Sequence, residues 1–361
     1  MKIGILTQPL KDNYGGILQN YALQTALRDM GHEPVTLRSD RYPLWRWPLS
    51  LGKTLLGRSG DFMTFPPLAR AKERRRAGGM LAFIERHIRL GKSRSRYCRG
   101  DIGRYGLDAL IVGSDQTWRP KYNASIPDMF LRFAAGAGVI RLAYAASFGT
   151  SVWELTPRQT ALCRKLVKDF RAVSVREDSG VGLCRDHLGC DAEWVLDPTF
   201  LLTPDRYAAL CADIPRESPY LFAYLLDITP EKRAYVESVA GKLGLGMRIL
   251  EAGRAVCSDD SPERWLAAFR DAAFVITDSF HGTAFAVNFG RPFITFTNAH
   301  RGNARFDSLA RDFGIGHRIL SEVPSPGAAM PEDIDWQAVA ARMAARREQS
   351  MRFLRTGLGT R

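Results

Sequence analysis

Apolar and polar positions alternate along the chain in blocks that read as an α/β protein. A buried-type run at residues 2–7 predicts a first strand, and the polar, glycine-rich Asn13-Tyr14-Gly15-Gly16 follows it. From Ile17 to Met30, residues Leu18, Tyr21, Ala22 and Leu27 recur at helical spacing, and Gly31 stops the helix. Val35-Thr36-Leu37 then resumes as a strand, which completes a βαβ unit. Between residues 42 and 106 the pattern breaks. Pro43, Pro48, Pro66 and Pro67 punctuate it, arginine and aromatic residues dominate, and it is read as an insertion with one or two helices, such as Arg70–Leu90.

Regular alternation returns with predicted strands at Asp108–Val112, Arg141–Ala145, Ala172–Val175 and Trp194–Leu196. After a break near Pro198–Pro219, a second series follows at Leu221–Leu226, Met247–Leu250, Phe274–Thr277 and Phe293–Phe296. Helices near Glu231–Leu243, Pro262–Ala272 and Thr283–Asn288 separate these strands, and Asp335 caps a last helix whose stripe is Trp336, Val339 and Met343. The expectation is two Rossmann-like, doubly wound α/β domains facing each other across a cleft. The first spans residues 1–200 and includes the insertion. The second spans 215–334, and 335–361 is the C-terminal helix.

Composition narrows the class. A length of 361 residues suits two cored domains, and no apolar run approaches a membrane span. The first apolar run is too short for a signal peptide, and the six cysteines form no CxxC pair, so a reduced, cytoplasmic protein without zinc site or disulfide framework is expected. Charge changes the picture. With 51 Lys and Arg against 38 Asp and Glu the net charge is +13, much of it in Arg70–Arg76 and Arg86–Arg104. One basic patch and an anionic partner follow. No nucleic-acid-binding motif accompanies the charge, so nucleic acid is not the partner expected. Tryptophans at 45 and 47 beside Arg46, Lys53 and the Arg70–Arg76 cluster suit either a lid over the cleft or docking on an anionic inner-membrane face.

Candidate chemistry gathers where strands end. In Thr277-Asp278-Ser279-Phe280-His281-Gly282-Thr283-Ala284 a strand gives way to a helix, whose N-terminus offers free N–H groups to an anion. The bland alternative is that Asp278 and Ser279 cap the helix and His281 is packed. Arg176 stands at another strand end, ready to fork onto a carboxylate or phosphate, or else to pair with Glu177 or Asp178. Gly113-Ser114-Asp115-Gln116-Thr117-Trp118 offers polar groups and an aromatic platform suited to sugar, or an Asx turn with a core tryptophan. Asn298–Arg305 carries Arg301 and Arg305 toward the same crevice.

Six short segments in order resemble the polysaccharide pyruvyltransferase family over nearly the whole chain: Asn13–Gln24, Val112–Trp118, Tyr144–Gly149, Val173–Glu177, Leu196–Phe200 and Thr277–Thr283. The resemblance implies a fold like that of GT-B glycosyltransferases, phosphoenolpyruvate as donor, no metal and no cofactor. It also implies donor contacts at Arg176 and His281. The roles expected are His281 as general acid, Arg176 as anion clamp and Asp115 as base toward an acceptor hydroxyl. Ser279, Gly282, Thr283, Arg301, Arg305, Gly15 and Gly16 are expected around the donor, and Asn13, Gln19 and Trp118 around the acceptor. The acceptor is a sugar of a polysaccharide or a lipid-linked precursor. A GT-B glycosyltransferase using a nucleotide sugar is the alternative.

Overall fold

The structure, a computed structural model, describes residues 1–10, 13–39, 78–93, 96–123, 125–251, 260–297 and 302–359. Seven strands form the first sheet: β1 (Lys2–Leu6), β2 (Glu33–Arg38), β3 (Leu90–Ser93), β4 (Ala109–Val112), β5 (Ile140–Ala146), β6 (Ala172–Val175) and β7 (Glu193–Trp194). Their order is β3-β2-β1-β4-β5-β6-β7, and every pair is parallel. A second parallel sheet holds β8 (Tyr220–Leu225), β9 (Gly246–Glu251), β10 (Ala272–Thr277), β11 (Phe293–Phe296) and β12 (Ile319–Leu320), in the order β12-β11-β10-β8-β9. Helices cover both faces, which is why β4 and β8 are buried at every position and read as unbroken apolar runs. The strand order reverses between β1 and β4, and again between β8 and β10. Ligands of doubly wound sheets bind at the carboxyl ends of strands flanking such reversals.

Helix α1 (Tyr14–Asp29) lies between the two domains, so nearly every residue in it is buried. The Tyr14 ring stacks on Trp265 at 5.4 Å and meets Tyr224 edge-on at 6.3 Å, both from the second domain. The further helices used below are α2 (Gly78–His87), α3 (Pro157–Val167), α4 (Pro262–Asp271), α5 (Phe280–Asn288), α6 (Ala304–Phe313) and α7 (Trp336–Leu358). Helix α7, about 35 Å long at 1.5 Å per residue, straps the halves together. Val339 and Met343 join the core shared with the second domain, while Phe353, Leu354 and Leu358 pack under β1 against Ile3, Ile5 and Leu23.

Two expectations shift. The segment 42–106 is not wholly an insertion, because β3 extends the first sheet beside β2 and α2 begins at Gly78. Residues 42–77, with Trp45, Trp47 and the Arg70–Arg76 cluster, lie outside the described residues. The helix expected at Thr283 begins instead at Phe280, with Ser279 as N-cap, and this places His281 within its first turn. No helix among the described residues is long and apolar enough to cross a membrane.

Candidate active site

Strand ends from both sheets converge beside the first turn of α5. From the first sheet come Ser114 and Asp115 after β4, Arg176 after β6, and Asp197 beyond β7. Arg176 is 3% exposed. Its Nη1 donates to Asp197 Oδ2 at 2.8 Å and reaches Ser114 Oγ at 3.4 Å, and Nη2 stands 3.8 Å from Asp115 Oδ1. The guanidinium centre lies 4.7 Å from the centroid of the Phe280 ring. Nε and Nη2 have no hydrogen-bond partner. Burial of those donors costs free energy unless something completes them, so Arg176 presents two unmet donors in a site built from opposite domains.

Asp197 supplies the counter-charge. Its Oδ2 accepts from Arg176 and from Ser114 Oγ, and its Oδ1 accepts the Thr199 N–H at 3.0 Å and the Thr199 hydroxyl at 2.8 Å. Burial alone would raise its pKa, but Arg176, His281 and these hydrogen bonds outweigh it and hold the carboxyl at about 2. For Arg176, burial pulls the pKa down, and the surrounding Asp197, Asp115 and Glu177 carboxylates more than restore it. The neighbouring acids do other work. Glu177 Oε1 accepts from Ser147 Oγ and from the Phe148 and Gly149 N–H groups, which pins the loop after β5. Asp178 accepts from Ser179, Ser308 and Arg311. Arg176 is therefore no surface pair with either.

His281 faces this cluster from the second domain. The ring is 7% exposed, and Nε2 sits 3.8 Å from Asp197 Oδ2 with no hydrogen-bond partner. Burial lowers its pKa; Asp197 opposes and the two arginines reinforce that shift, so the neutral imidazole is favoured. A β-carbon on Gly15 would fall 2.0 Å from His281 Nδ1, so only glycine leaves room for this ring at the start of α1. The guanidinium carbon of Arg305, on α6, lies 5.6 Å from the centroid of the Phe280 ring, and burial together with Arg176 pulls its pKa down to about 10. Two arginines and a histidine gather at the start of α5, where Ser279 Oγ takes the Gly282 N–H, an arrangement that can receive an anion.

Several expected ligands have other duties. Ser279 caps α5, its Oγ accepting the Gly282 N–H at 3.2 Å, as the bland reading held. Gly282 is required by packing, since a β-carbon there would lie 2.2 Å from Thr277 Oγ1. Thr283 is turned inward and bonds Ser279 O and Thr295 Oγ1. Asp278 is not a cap. It brackets the loop by accepting the Leu226 and Asp227 N–H groups and the Lys232 ammonium at 2.6 Å. Asp115 stays at the site, strained at φ 74° and holding the Gln116 N–H. Asn13 is exposed and caps α1 through the Gly16 N–H.

Trp118 and Gln19 do not face the acceptor. Trp118 is 0% exposed, stacks on Phe130 at 4.5 Å and donates Nε1–H to Met129 O, so the core-tryptophan alternative holds. Gln19 is enclosed, its amide donating to Thr7 Oγ1 and Gly16 O. Arg301 lies outside the described residues. Asp197 was missed as a site residue although Leu-Asp-Pro-Thr-Phe was noted. The signal is an acid before proline just beyond the end of the strand that pairs with that of Arg176.

A family model described as polysaccharide pyruvyl transferase matches residues 13–300. No curated protein matches the chain. Among solved structures, the chain is similar to a UDP-GlcNAc 2-epimerase from Methanocaldococcus jannaschii in complex with UDP-GlcNAc and UDP, at 11% identity and TM-score 0.47, covering 100% of this chain and 94% of that one. It is also similar to a glycosyltransferase from Rickettsia africae ESF-5, at 10% identity and TM-score 0.45, covering 99% and 94%.

Proposed function

The chain belongs to the polysaccharide pyruvyl transferase family, and from that premise we propose that it transfers the pyruvyl group of phosphoenolpyruvate to two hydroxyls of a glycan, forming a cyclic ketal. The supporting observation is the pairing of buried Arg176, with Nε and Nη2 unmet, with buried His281, with Nε2 unmet, across one site. Phosphoenolpyruvate carries a phosphate and a carboxylate, and the buried cations Arg176 and Arg305 match that charge. Arg176 takes the carboxylate or phosphate, and Arg305 adds charge beside Phe280. The first turn of α5 receives the remaining anionic oxygens.

The reaction needs a proton on C3 of the enol, addition of a sugar hydroxyl at C2 and departure of inorganic phosphate as the second hydroxyl closes the ring. His281 is neutral in the free protein. A bound dianion favours its cation, so the donor itself arms the acid that protonates C3. Asp115 accepts the proton of the incoming hydroxyl, with Arg176 Nη2 3.8 Å from its Oδ1. Asp197 holds Arg176 through Nη1 beside Phe280 and leaves Nε and Nη2 for the ligand.

Phosphate release from phosphoenolpyruvate, measured over a panel of nitrophenyl and lipid-linked sugars, tests the reading. His281→Gln should lower kcat about 100-fold with the fold intact. Binding of nucleotide sugars together with no phosphate release on any acceptor would sink it. We also carry forward docking of the enzyme on an anionic membrane face through residues 42–76, where lipid-linked acceptors would be presented. Sedimentation with acidic liposomes should require those lipids and weaken with salt. Protein that stays in the supernatant at low salt ends that proposal.

A further inference from the structure

A second ligand surface begins one ring away from the active site. The Phe148 N–H is held by Glu177, next in sequence to Arg176. The Phe148 ring lies 5.5 Å from Trp153, and Trp153 in turn stacks face to face on His187 at 4.5 Å with an interplanar angle of 9°. Beyond this pair opens a groove of about 620 Å³. One wall is a single stripe of α3 and the residue after it, at positions 157, 160, 161, 164, 165 and 168, a spacing that keeps them on one helical face. The other wall is the turn at Asp186 and His187.

Charge in the groove has one dominant sign. Arg164, Lys165 and Lys168 line it, against Asp186 alone, and Asp186 is already paired with Arg185 at 2.9 Å. Arg164 is fixed in place by donating to His187 O and Asp186 O. Among the described residues, Lys165 and Lys168 have no ion-pair partner. The Trp153 indole is also fixed, its Nε1–H donating to the Thr160 hydroxyl at 2.9 Å. Aromatic floor, fixed polar groups and free cations are the makings of a ligand site. The apolar C–H face of a pyranose packs on an indole, and its carboxylate or sulfate meets an ammonium.

We propose that this groove docks an acidic stretch of the acceptor glycan. Three observations choose that occupant. The cationic surplus selects a polyanion. The half-buried tryptophan selects a ring-bearing ligand over a bare phosphate. The contacts Glu177–Phe148–Trp153–His187 place the groove only three side chains from Glu177, the neighbour of Arg176, within reach of one polymer engaging both. The inference rests on the proposed reaction in one respect: each pyruvyl group transferred leaves a carboxylate on the glycan, so a chain already modified upstream carries the charge that the groove selects. The groove then favours repeated modification along one chain.

The test is a binding experiment that needs no turnover, so its failure is separable from failure of the donor reading. Tryptophan fluorescence and calorimetry are followed on the full chain with an oligogalacturonide, a maltooligosaccharide of equal length, and polyglutamate. The acidic sugar should bind about tenfold or more tighter than the neutral one and weaken with salt. Lys165→Glu with Lys168→Glu, both exposed, should abolish that preference while phosphoenolpyruvate binding stays unchanged. Trp153→Ala should weaken the oligogalacturonide but leave polyglutamate alone. Equal binding of acidic and neutral sugars, insensitivity to the lysine reversals, or polyglutamate binding that matches the sugar and ignores Trp153, would each overturn the proposal. A fall in phosphoenolpyruvate affinity in the lysine variants would do so too, since it would place those charges in the donor site.

Discussion

Two arginines are buried to the same degree in this molecule, Arg176 at 3% and Arg270 at 4% exposure, and they serve opposite ends. Arg270, on α4, is saturated. Its Nε and Nη2 fork onto Asp271 at 2.8 and 2.7 Å, Nη1 meets Cys211 O at 2.7 Å, and Nη2 also reaches Ile214 O at 3.1 Å. Arg176 has the same chemistry but donates hydrogen bonds only through Nη1, with Nη2 no nearer than 3.8 Å to Asp115 Oδ1. The guanidinium of Arg270 is saturated by protein; under the proposed function, that of Arg176 is completed by the donor. Burial of a charge thus does not set Arg176 apart; two unmet nitrogens on one guanidinium beside an equally unmet His281 Nε2 do, since Arg141, Arg291, Arg318 and Arg346 each leave a single nitrogen unmet.

Lysine substitutions should separate the two most sharply. Arg176→Lys keeps the charge beside Asp197 but loses the planar fork, so kcat/KM for phosphoenolpyruvate should fall about 100-fold or more. Arg270→Lys should leave kcat and KM alone and lower the unfolding free energy by about 2 kcal/mol, because two buried carbonyls lose their donors. Steady-state kinetics and urea unfolding on both variants read this directly. The contrast fails if Arg176→Lys retains wild-type kinetics, or if Arg270→Lys loses activity without losing stability.

A smaller effect is expected across the domain boundary, where adjacent glycines differ as the two arginines do. Gly15→Ala puts a methyl where the His281 ring stands, 2.0 Å from Nδ1. The imidazole must move, and a displacement on the ångström scale should cost about tenfold or more in kcat, with about 1–3 kcal/mol of stability from overpacking. Gly16→Ala meets nothing nearer than the Asn13 amide at 3.3 Å and should be near neutral in both. Equal kinetics for the two alanine variants would show that His281 is not held by Gly15.

How much of this could be read beforehand follows from range. Strand and helix order was legible because each element carries its own periodicity, and Arg176 and His281 were legible because both sit at strand-to-helix turns. The mistakes were about direction. Trp118 follows β4 as a sugar platform would, yet its ring turns inward onto Phe130, and nothing within a few residues reveals that. Ser279 and Thr283 belong to the right turn but are used by the helix itself. Asp197 became recognisable as a site residue only once β6 and β7 stood side by side, and Gly15 only once two domains met. Edge strand β3 was hidden because its four residues, Leu-Gly-Lys-Ser, carry no apolar run.

The smallest effect expected, and the last separation of the two arginines, is in acid. Asp197, the partner of Arg176, has a folded pKa of about 2 against about 3.9 in an unfolded chain. The folded protein therefore binds fewer protons between those values, and stability rises with pH there. Its contribution, roughly 2–3 kcal/mol, is fully present above about pH 4 and is lost as pH falls toward 2. His281 acts in the same direction at higher pH. Its folded pKa is lowered by burial, so the stability it contributes is present above about 6.5 and lost as pH falls toward the folded value. Urea unfolding of the wild type should thus weaken in two steps on acidification. His281→Gln should remove the upper step and keep the lower one. Asp197→Asn should start less stable at neutral pH and converge on the wild type as the carboxyl of the latter protonates. A constant gap between wild type and Asp197→Asn from pH 7 down to pH 3 would mean that Asp197 and Arg176 do not form the ion pair on which the site is built.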